Sequence, residues 1–414
     1  MYDLIPLGKR AKEAARILAT ASTSQKNKAL LCVADALVSQ MDGILTANRQ
    51  DLDAGREAGL RPSLLDRLSL SEDRIRGMAE GVRKVAALPD PVGQQLEGKT
   101  LENGLKMTKI RVPMGVIGII YEARPNVTSD AAALCIKAGN AVILRGGKEA
   151  FHSNLAICRV MRDAFQQAGL PQDCVQLIED TSRETATAFM RLNGYLDVLI
   201  PRGGGGLIRS VVENATVPVI ETGVGNCHVY VEHTADLHMA TDIIFNAKTS
   251  RPSVCNAIET VLVDREIASQ ALPMIYEKLK EKSVEVRGCP ETLQILPDAV
   301  PASEEDWGTE YLDYILSVKV VDGIDEAIDH ITQYGSGHSE CIVTSNYFAA
   351  QTFTDHVDAA AVYVNASTRF TDGEQLGMGA EIGISTQKLH ARGPMGLPEL
   401  TTCKFIIQGC GQIR

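Results

Sequence analysis

Ten cysteines, at positions 32, 135, 158, 174, 227, 255, 289, 341, 403 and 410, offer the most reactive chemistry in this chain. No pair has C-x-x-C spacing, which argues against a zinc ribbon or a thioredoxin-type redox site. In a chain of 414 residues they do not form a disulfide framework, so a reducing compartment is expected, with most cysteines acting as small buried hydrophobes. Cys255 differs by context. It lies in TSRPSVCNA, after a helix expected to stop at Pro252 and before the strand AIETVLVD. A loop cysteine at a domain boundary, with Arg251 four residues away, suits an accessible thiolate nucleophile. Cys135 and Cys158 fall on apolar helix faces and read as core. The eight histidines include no H-E-x-x-H. His228, His233 and His238 recur every five residues, a spacing that suits neither one helix face nor a zinc site, and no metal is expected.

Three segments have the composition of phosphate sites. Residues 93–100, GQQLEGKT, match the P-loop pattern. That motif works when a strand feeds it and a helix follows, so that N–H groups at the helix N-terminus hold phosphate. Here ALPDPV precedes it and a hairpin signal, Asn103-Gly104, follows, so the match is set aside. The fingerprint G-x-G-x-x-G is absent. Gly203, Gly204, Gly205 and Gly206, however, follow the strand-like DVLIPR and precede the helix-like LIRSVVENA, which suits a pyrophosphate better than a merely flexible turn. Arg145-Gly146-Gly147-Lys148 ends the strand AVIL, and ligands of open α/β sheets sit beyond the carboxyl ends of strands. A solvated basic turn is the plainer alternative there.

The elements that would position these residues follow from apolar periodicity. Residues 8–85 read helical, and Pro89 and Pro91 end that pattern. From about residue 115 strands and helices alternate: VIGIIYE (116–122), AVILRG (141–146), VQLIED (175–180), DVLIPRG (197–203) and PVIETG (218–223). Apolar strands separated by helices indicate a parallel, doubly wound α/β sheet. A second α/β region holds HVYVE, AIETVLVD, SVKVVD, ECIVTS and AAVYVN, with helices around 236–249, 266–282 and 324–334. Lys+Arg number 41 against 52 Asp+Glu, a net charge of −11 that disfavours a nucleic-acid surface. There is no run of 18 apolar residues and no apolar h-region after the N-terminal charges, so neither membrane insertion nor secretion is expected. The cytoplasm is the expected location.

Four segments then carry a resemblance. VIETGVGNCHVYVE, TSRPSVCNAIETVLV, YGSGHSECIVT and STQKLHARGPMGLPELTT resemble the gamma-glutamyl phosphate reductase family of the aldehyde dehydrogenase superfamily, and the likeness spans essentially the whole chain. It implies an aldehyde-dehydrogenase-like α/β fold: an NADP(H)-binding domain over 1–99 and 114–224, a catalytic domain over 225–402, and a small β oligomerisation element from 100–113 and 403–414. The superfamily's nucleophile falls on Cys255 and its glutamate on Glu221, 34 positions earlier. Its ribose-binding glutamate falls on Glu310 in GTEYLDY, and its strand-end lysine becomes Arg145. Lys148 stands where NAD-using members often carry an acid, so NADPH/NADP is the implied cofactor. For the oxyanion-hole asparagine, an ungapped count back from Gly139-Asn140 reaches Glu122, while Asn126 is the nearest asparagine. Arg251, Arg124 and His338 are candidate cations for an anionic substrate.

The implied reaction is NADPH-dependent reduction of L-glutamyl 5-phosphate to L-glutamate 5-semialdehyde through a Cys255 thioester, in proline biosynthesis. A homodimer or a dimer of dimers is expected, with a functional link to glutamate 5-kinase. The rivals are NAD-dependent aldehyde oxidation, a kinase built on GQQLEGKT, and a non-catalytic protein of the same fold.

Overall fold

The computed structural model describes residues 2–414, the side chain of residue 63 aside. The chain divides into two units. The first comprises residues 1–222, 378–383 and 395–414, and the second comprises 223–377 and 384–394.

The first unit opens with five helices: α1 (Ile5–Leu18), α2 (Thr23–Ser39), α3 (Met41–Glu57), α4 (Pro62–Leu68) and α5 (Glu72–Ala87). Leu7, Ala11, Ala14, Ala15 and Leu18 recur at helical spacing and form the buried face of α1. Ser22 and Gln25 make a capping box that starts α2, and Ser71 caps α5 through the Arg74 N–H. No single helix among the described residues is long and apolar enough to cross a membrane.

A hairpin follows, β1 (Gln95–Thr100) and β2 (Lys106–Pro113), paired antiparallel from Thr100 opposite Lys106. The two-residue turn expected at Asn103-Gly104 is a five-residue loop instead. Leu101 N–H donates to Leu105 O at 2.8 Å, and Gly104 supplies a φ of +86° that L side chains rarely adopt. The C-terminal strand Thr401–Gln408 pairs antiparallel along the whole of β2, giving the order β1, β2, 401–408.

The remainder of this unit alternates β3 (Val116–Tyr121), α6 (Asn126–Lys137), β4 (Ala141–Arg145), α7 (Phe151–Gln167), β5 (Val175–Leu177), α8 (Arg183–Met190), β6 (Val198–Arg202) and α9 (Gly205–Asn214). The four strands are parallel in the order β5-β4-β3-β6, and all of β3 is buried. PVIETG is not a fifth strand. It makes one parallel bridge, Val219 to Leu199, because Pro218 offers no N–H to extend a ladder.

The second unit runs β7 (Cys227–Val231), α10 (Leu237–Thr249), β8 (Ile258–Asp264), α11 (Ala268–Lys280), β9 (Glu285–Gly288), α12 (Pro290–Ile295), β10 (Val300–Pro301), β11 (Ile315–Val321), α13 (Ile324–Tyr334), β12 (Ser339–Val343), α14 (Tyr347–His356) and β13 (Ala361–Val364). Its seven-stranded sheet is parallel, in the order β10-β9-β11-β8-β7-β12-β13. Val229, Val231, Ile258, Val261, Val263, Leu316 and Cys341 fill one face of it beneath α10 and α11. The central pair β7 and β8 thus carries Cys255 on the loop that enters β8.

Candidate active site

In the second unit, α10 ends at Thr249 and β8 begins at Ile258, and residues 250–257 between them form the loop of Cys255. Cys255 is half-buried, whereas Cys135, Cys158, Cys174, Cys227, Cys289 and Cys341 are buried. Burial pushes the thiols of Cys158 and Cys341 up to about 12, so they are inert at neutral pH. The Cys227 thiol, at the start of β7, donates to the Cys255 carbonyl at 3.2 Å. Gly225 passes directly beneath, and a Cβ there would run into that same carbonyl. Only glycine leaves room for the Cys255 loop at this position.

The loop is also gripped from its far side. Asn256 Nδ2 donates to Thr371 O at 2.8 Å and Arg369 O at 3.3 Å, and Thr368 Oγ1 donates to Asn256 O at 2.7 Å. Arg369 Nε reaches Ser250 Oγ at 3.0 Å, while its Nη1 donates to Asn256 Oδ1. Residues 367–371, on the short 3₁₀ turn after β13, therefore hold both ends of the loop. Nothing in the spacing of the sequence brings Arg369 to Asn256, 113 positions away.

Glu310 is half-buried on the segment before β11, and its Oε1 accepts the Gly225 N–H at 2.7 Å. Burial pushes its carboxyl up from the ordinary glutamate value, and the Gly225 N–H and the charge of Lys248 oppose that. Arg251 is exposed on the Cys255 loop. His338 requires a correction. It is fully buried, its Nδ1 lies 2.8 Å from Ser339 Oγ, and burial pulls its pKa down to about 4. A neutral, enclosed imidazole offers no cation to an anionic substrate. The three evenly spaced histidines also part company: His228 is buried on β7 against Glu340 at 2.9 Å, His233 lies 2.7 Å from Glu232, and His238 is in the first turn of α10.

The first unit holds the remaining candidates. Gly203–Gly206 lie where β6 ends and α9 begins, and Gly204 caps α9 without a side-chain partner. Gly204 N–H donates to Glu122 Oε2 at 3.0 Å, and a Cβ on Gly203 would strike that carboxyl. Glu122 is therefore an acceptor engaged with the glycine turn. Asn126 opens α6, exposed, with its Nδ2 on Asp130 Oδ2 at 2.9 Å. Asp130, which the sequence did not single out, is pushed up to about 6 by burial, against hydrogen bonds from Asn126 and Ser129 and the charge of Arg202. Arg145 ends β4, but its Nη2 turns to the Thr181 and Ser182 carbonyls at 2.8 and 3.4 Å. It orders that loop. Lys148 is exposed on the turn beyond, Arg124 is exposed, and Glu221 is half-buried. GQQLEGKT runs along β1 into a turn, and Lys99 pairs with Glu97 at 3.5 Å, so this segment has no phosphate-binding helix end.

A family model described as the aldehyde dehydrogenase family matches residues 7–293. The chain belongs to the aldehyde dehydrogenase family. It is 63% identical to the gamma-glutamyl phosphate reductase of Carboxydothermus hydrogenoformans, covering all of both chains, and 61% identical to that of Clostridium perfringens, covering all of this chain and 99% of the relative. The crystal structure of gamma-glutamyl phosphate reductase from Thermotoga maritima superposes with a TM-score of 0.98, at 51% identity and full coverage of both chains. Family members are oxidoreductases that use a nicotinamide cofactor, and the fold is the aldehyde dehydrogenase fold.

Proposed function

We propose that the chain reduces L-glutamyl 5-phosphate to L-glutamate 5-semialdehyde with NADPH, releasing phosphate, as a step of proline biosynthesis. The observation that carries this reading is Cys255, half-buried on a loop held at both ends, in a chain more than 60% identical to named gamma-glutamyl phosphate reductases over its full length.

The residues present fit a dinucleotide. No side chain caps the first turn of α9, which suits a pyrophosphate once the Glu122 carboxylate yields the Gly204 N–H. Lys148, exposed beyond β4, suits a 2′-phosphate, and Glu310 suits ribose hydroxyls once it releases Gly225. When bound, NADPH supplies the hydride. Cys255 thiolate attacks the acyl carbon, the carbonyl electrons move to oxygen, and phosphate leaves as the thioester forms. The Cys255 acyl carbon then accepts hydride, and the resulting thiohemiacetal collapses to aldehyde and thiolate. The Cys255 backbone N–H and the Asn126 amide are the donors we assign to the oxyanion; Glu122, an acceptor, is not. Losing one such donor costs about 10²–10³ in rate. Arg251 and Arg124 are the exposed cations that suit the substrate's phosphate and carboxylate.

The strand Thr401–Gln408 is paired on one edge, to β2, and exposes Phe405, Ile406 and Ile407. That unpaired edge supports assembly as a homodimer or a dimer of dimers.

The test is NADPH oxidation with acyl phosphate made in situ by glutamate 5-kinase and ATP. Wild type should turn over, and Cys255→Ala should not, while still folding and binding NADPH. The reverse reaction should need phosphate. Turnover of the semialdehyde in phosphate-free buffer would make the chain an ordinary aldehyde oxidiser, and activity in Cys255→Ala would remove the thioester.

A further inference from the structure

We propose that Arg369 is a positioning residue that bridges the two ends of the Cys255 loop and supplies the fixed positive charge that holds the nucleophile as thiolate. The proposal rests on the reading of Cys255 as the nucleophile and adds what activates it. Three observations support it. The guanidinium spans the loop, with Nε on Ser250 and Nη1 on Asn256, the residue next to Cys255. Asn256 returns the contact through its own Nδ2 to Arg369 O, so both side chain and main chain of residue 369 fix the loop. The arginine is half-buried, and burial pulls its pKa down; Asp372 pushes back, Arg251 adds to the depression and Cys255 opposes it. Asp372 offsets part of the cost of keeping a guanidinium there beside a second arginine, and a thiolate at Cys255 would offset more of it.

A guanidinium remains charged at every working pH, so it stabilises a thiolate without itself titrating. Among the described residues, the charges that act on Arg369 are Arg251 on the loop, Asp372 after the 3₁₀ turn and Cys255 itself; the buried thiol of Cys227 on β7, which Glu340 and Glu259 also reach electrostatically, donates to the Cys255 carbonyl. Cys227 is pushed well up by burial, so it stays protonated and does not share the titration. Two of these groups, Arg251 and Arg369, are cations, and Asp372 is an anion. A planar fork is also what can reach Ser250 and Asn256 together; a lysine point charge reaches one of them.

The experiment measures the rate of Cys255 alkylation by iodoacetamide against pH, read by mass spectrometry of the peptide that contains it, with neither substrate nor NADPH present. Wild type should show a midpoint below the ordinary thiol value of about 8.5. Arg369→Gln keeps one amide donor but removes the charge, and should raise the midpoint by about one unit. Arg369→Lys keeps the charge and should stay within a few tenths of wild type, while losing kcat through a looser loop at little change in KM. Superimposable pH profiles for wild type and Arg369→Gln would overturn the proposal, as would a midpoint in Arg369→Lys as high as in Arg369→Gln. If Arg369→Gln does not fold, a wild-type midpoint at or above about 8.5 still overturns it. Failure of the underlying reading looks different: Cys255 would then be no more reactive than the exposed Cys403 and Cys410.

Discussion

Lys248 Nζ lies 2.5 Å from Glu259 Oε2, and neither side chain is exposed. Lys248 is in the last turn of α10 and Glu259 is the second residue of β8, so the pair closes the stem of the Cys255 loop. The second Glu259 oxygen accepts the Leu312 N–H at 3.2 Å, two residues beyond Glu310. Burial pushes the Glu259 carboxyl up, with Lys248 opposing. A buried pair of this kind is weak as net stabilisation but severe to break, because the survivor is left unpaired. Lys248→Met alone should therefore lower unfolding free energy by about 3–5 kcal/mol, and Lys248→Met with Glu259→Leu should restore most of it. Urea unfolding of the single and double variants checks this; equal losses in both would mean that packing, not charge, is at stake.

Burial also sets an acid limit. The folded protein keeps His338 and His330 neutral, pulling them down to about 4 and about 3. The unfolded chain takes up those protons below about 6.5. Each histidine thus contributes its full stability above about 6.5 and loses it as pH falls toward the folded value. For His338 the loss should reach about 2 kcal/mol by pH 5. Urea unfolding at pH 7.5 and pH 5 should show a smaller drop in His338→Gln than in wild type. An identical drop would return His338 to the candidate cations.

The regular elements were legible where apolar runs are long. Strands β3, β4, β6, β7, β8 and β11 and helices α10, α11 and α13 fall where periodicity put them, and with them the Cys255 loop. Expectation failed where local signals were weak or where tertiary contacts decide. EVRG carries too little apolar character to read as β9, and PVIETG carries enough to mislead although Pro218 denies it a ladder. The hydrogen bonds from Arg145 Nη2 to the Thr181 and Ser182 carbonyls were likewise not legible, because those carbonyls lie far along the chain. His338 and Arg369 exchange importance for the same reason: one is enclosed by β12 and the other brought to Asn256, and burial is not written in either residue's neighbours.

Removing residues 403–414 should disrupt assembly. The strand Thr401–Gln408 covers one edge of β2, so the truncation removes the partners of Lys106 to Arg111 and bares that backbone edge. Light scattering should report monomers or aggregate. An intact oligomer of unchanged mass would place the assembly contact elsewhere.

Lys99→Ala should leave turnover and cofactor binding nearly unchanged. Lys99 is exposed on β1 and pairs with Glu97, and such surface pairs contribute about 0–1 kcal/mol. A folded variant that no longer binds nucleotide would revive the P-loop reading of GQQLEGKT.

Cofactor choice should depend on Lys148. It is exposed at the 3₁₀ turn that follows β4 and Gly146-Gly147, at the carboxyl end of the strand. Arg145 gives its Nη2 to the loop carbonyls, and Lys148 is the exposed cation of this turn, suited to the two negative charges of a 2′-phosphate. Lys148→Glu should weaken NADPH binding by roughly 1–3 kcal/mol, the scale of a lost charge-assisted contact. NADH binding should change less, since a carboxylate can accept from ribose hydroxyls. Because Lys148 is open to solvent, the effect on NADPH should shrink at high salt. The ratio of kcat/KM for NADPH over NADH, measured in wild type and variant at two salt concentrations, decides it. A constant ratio would mean that the 2′-phosphate is read by other residues and that Lys148 is a surface lysine.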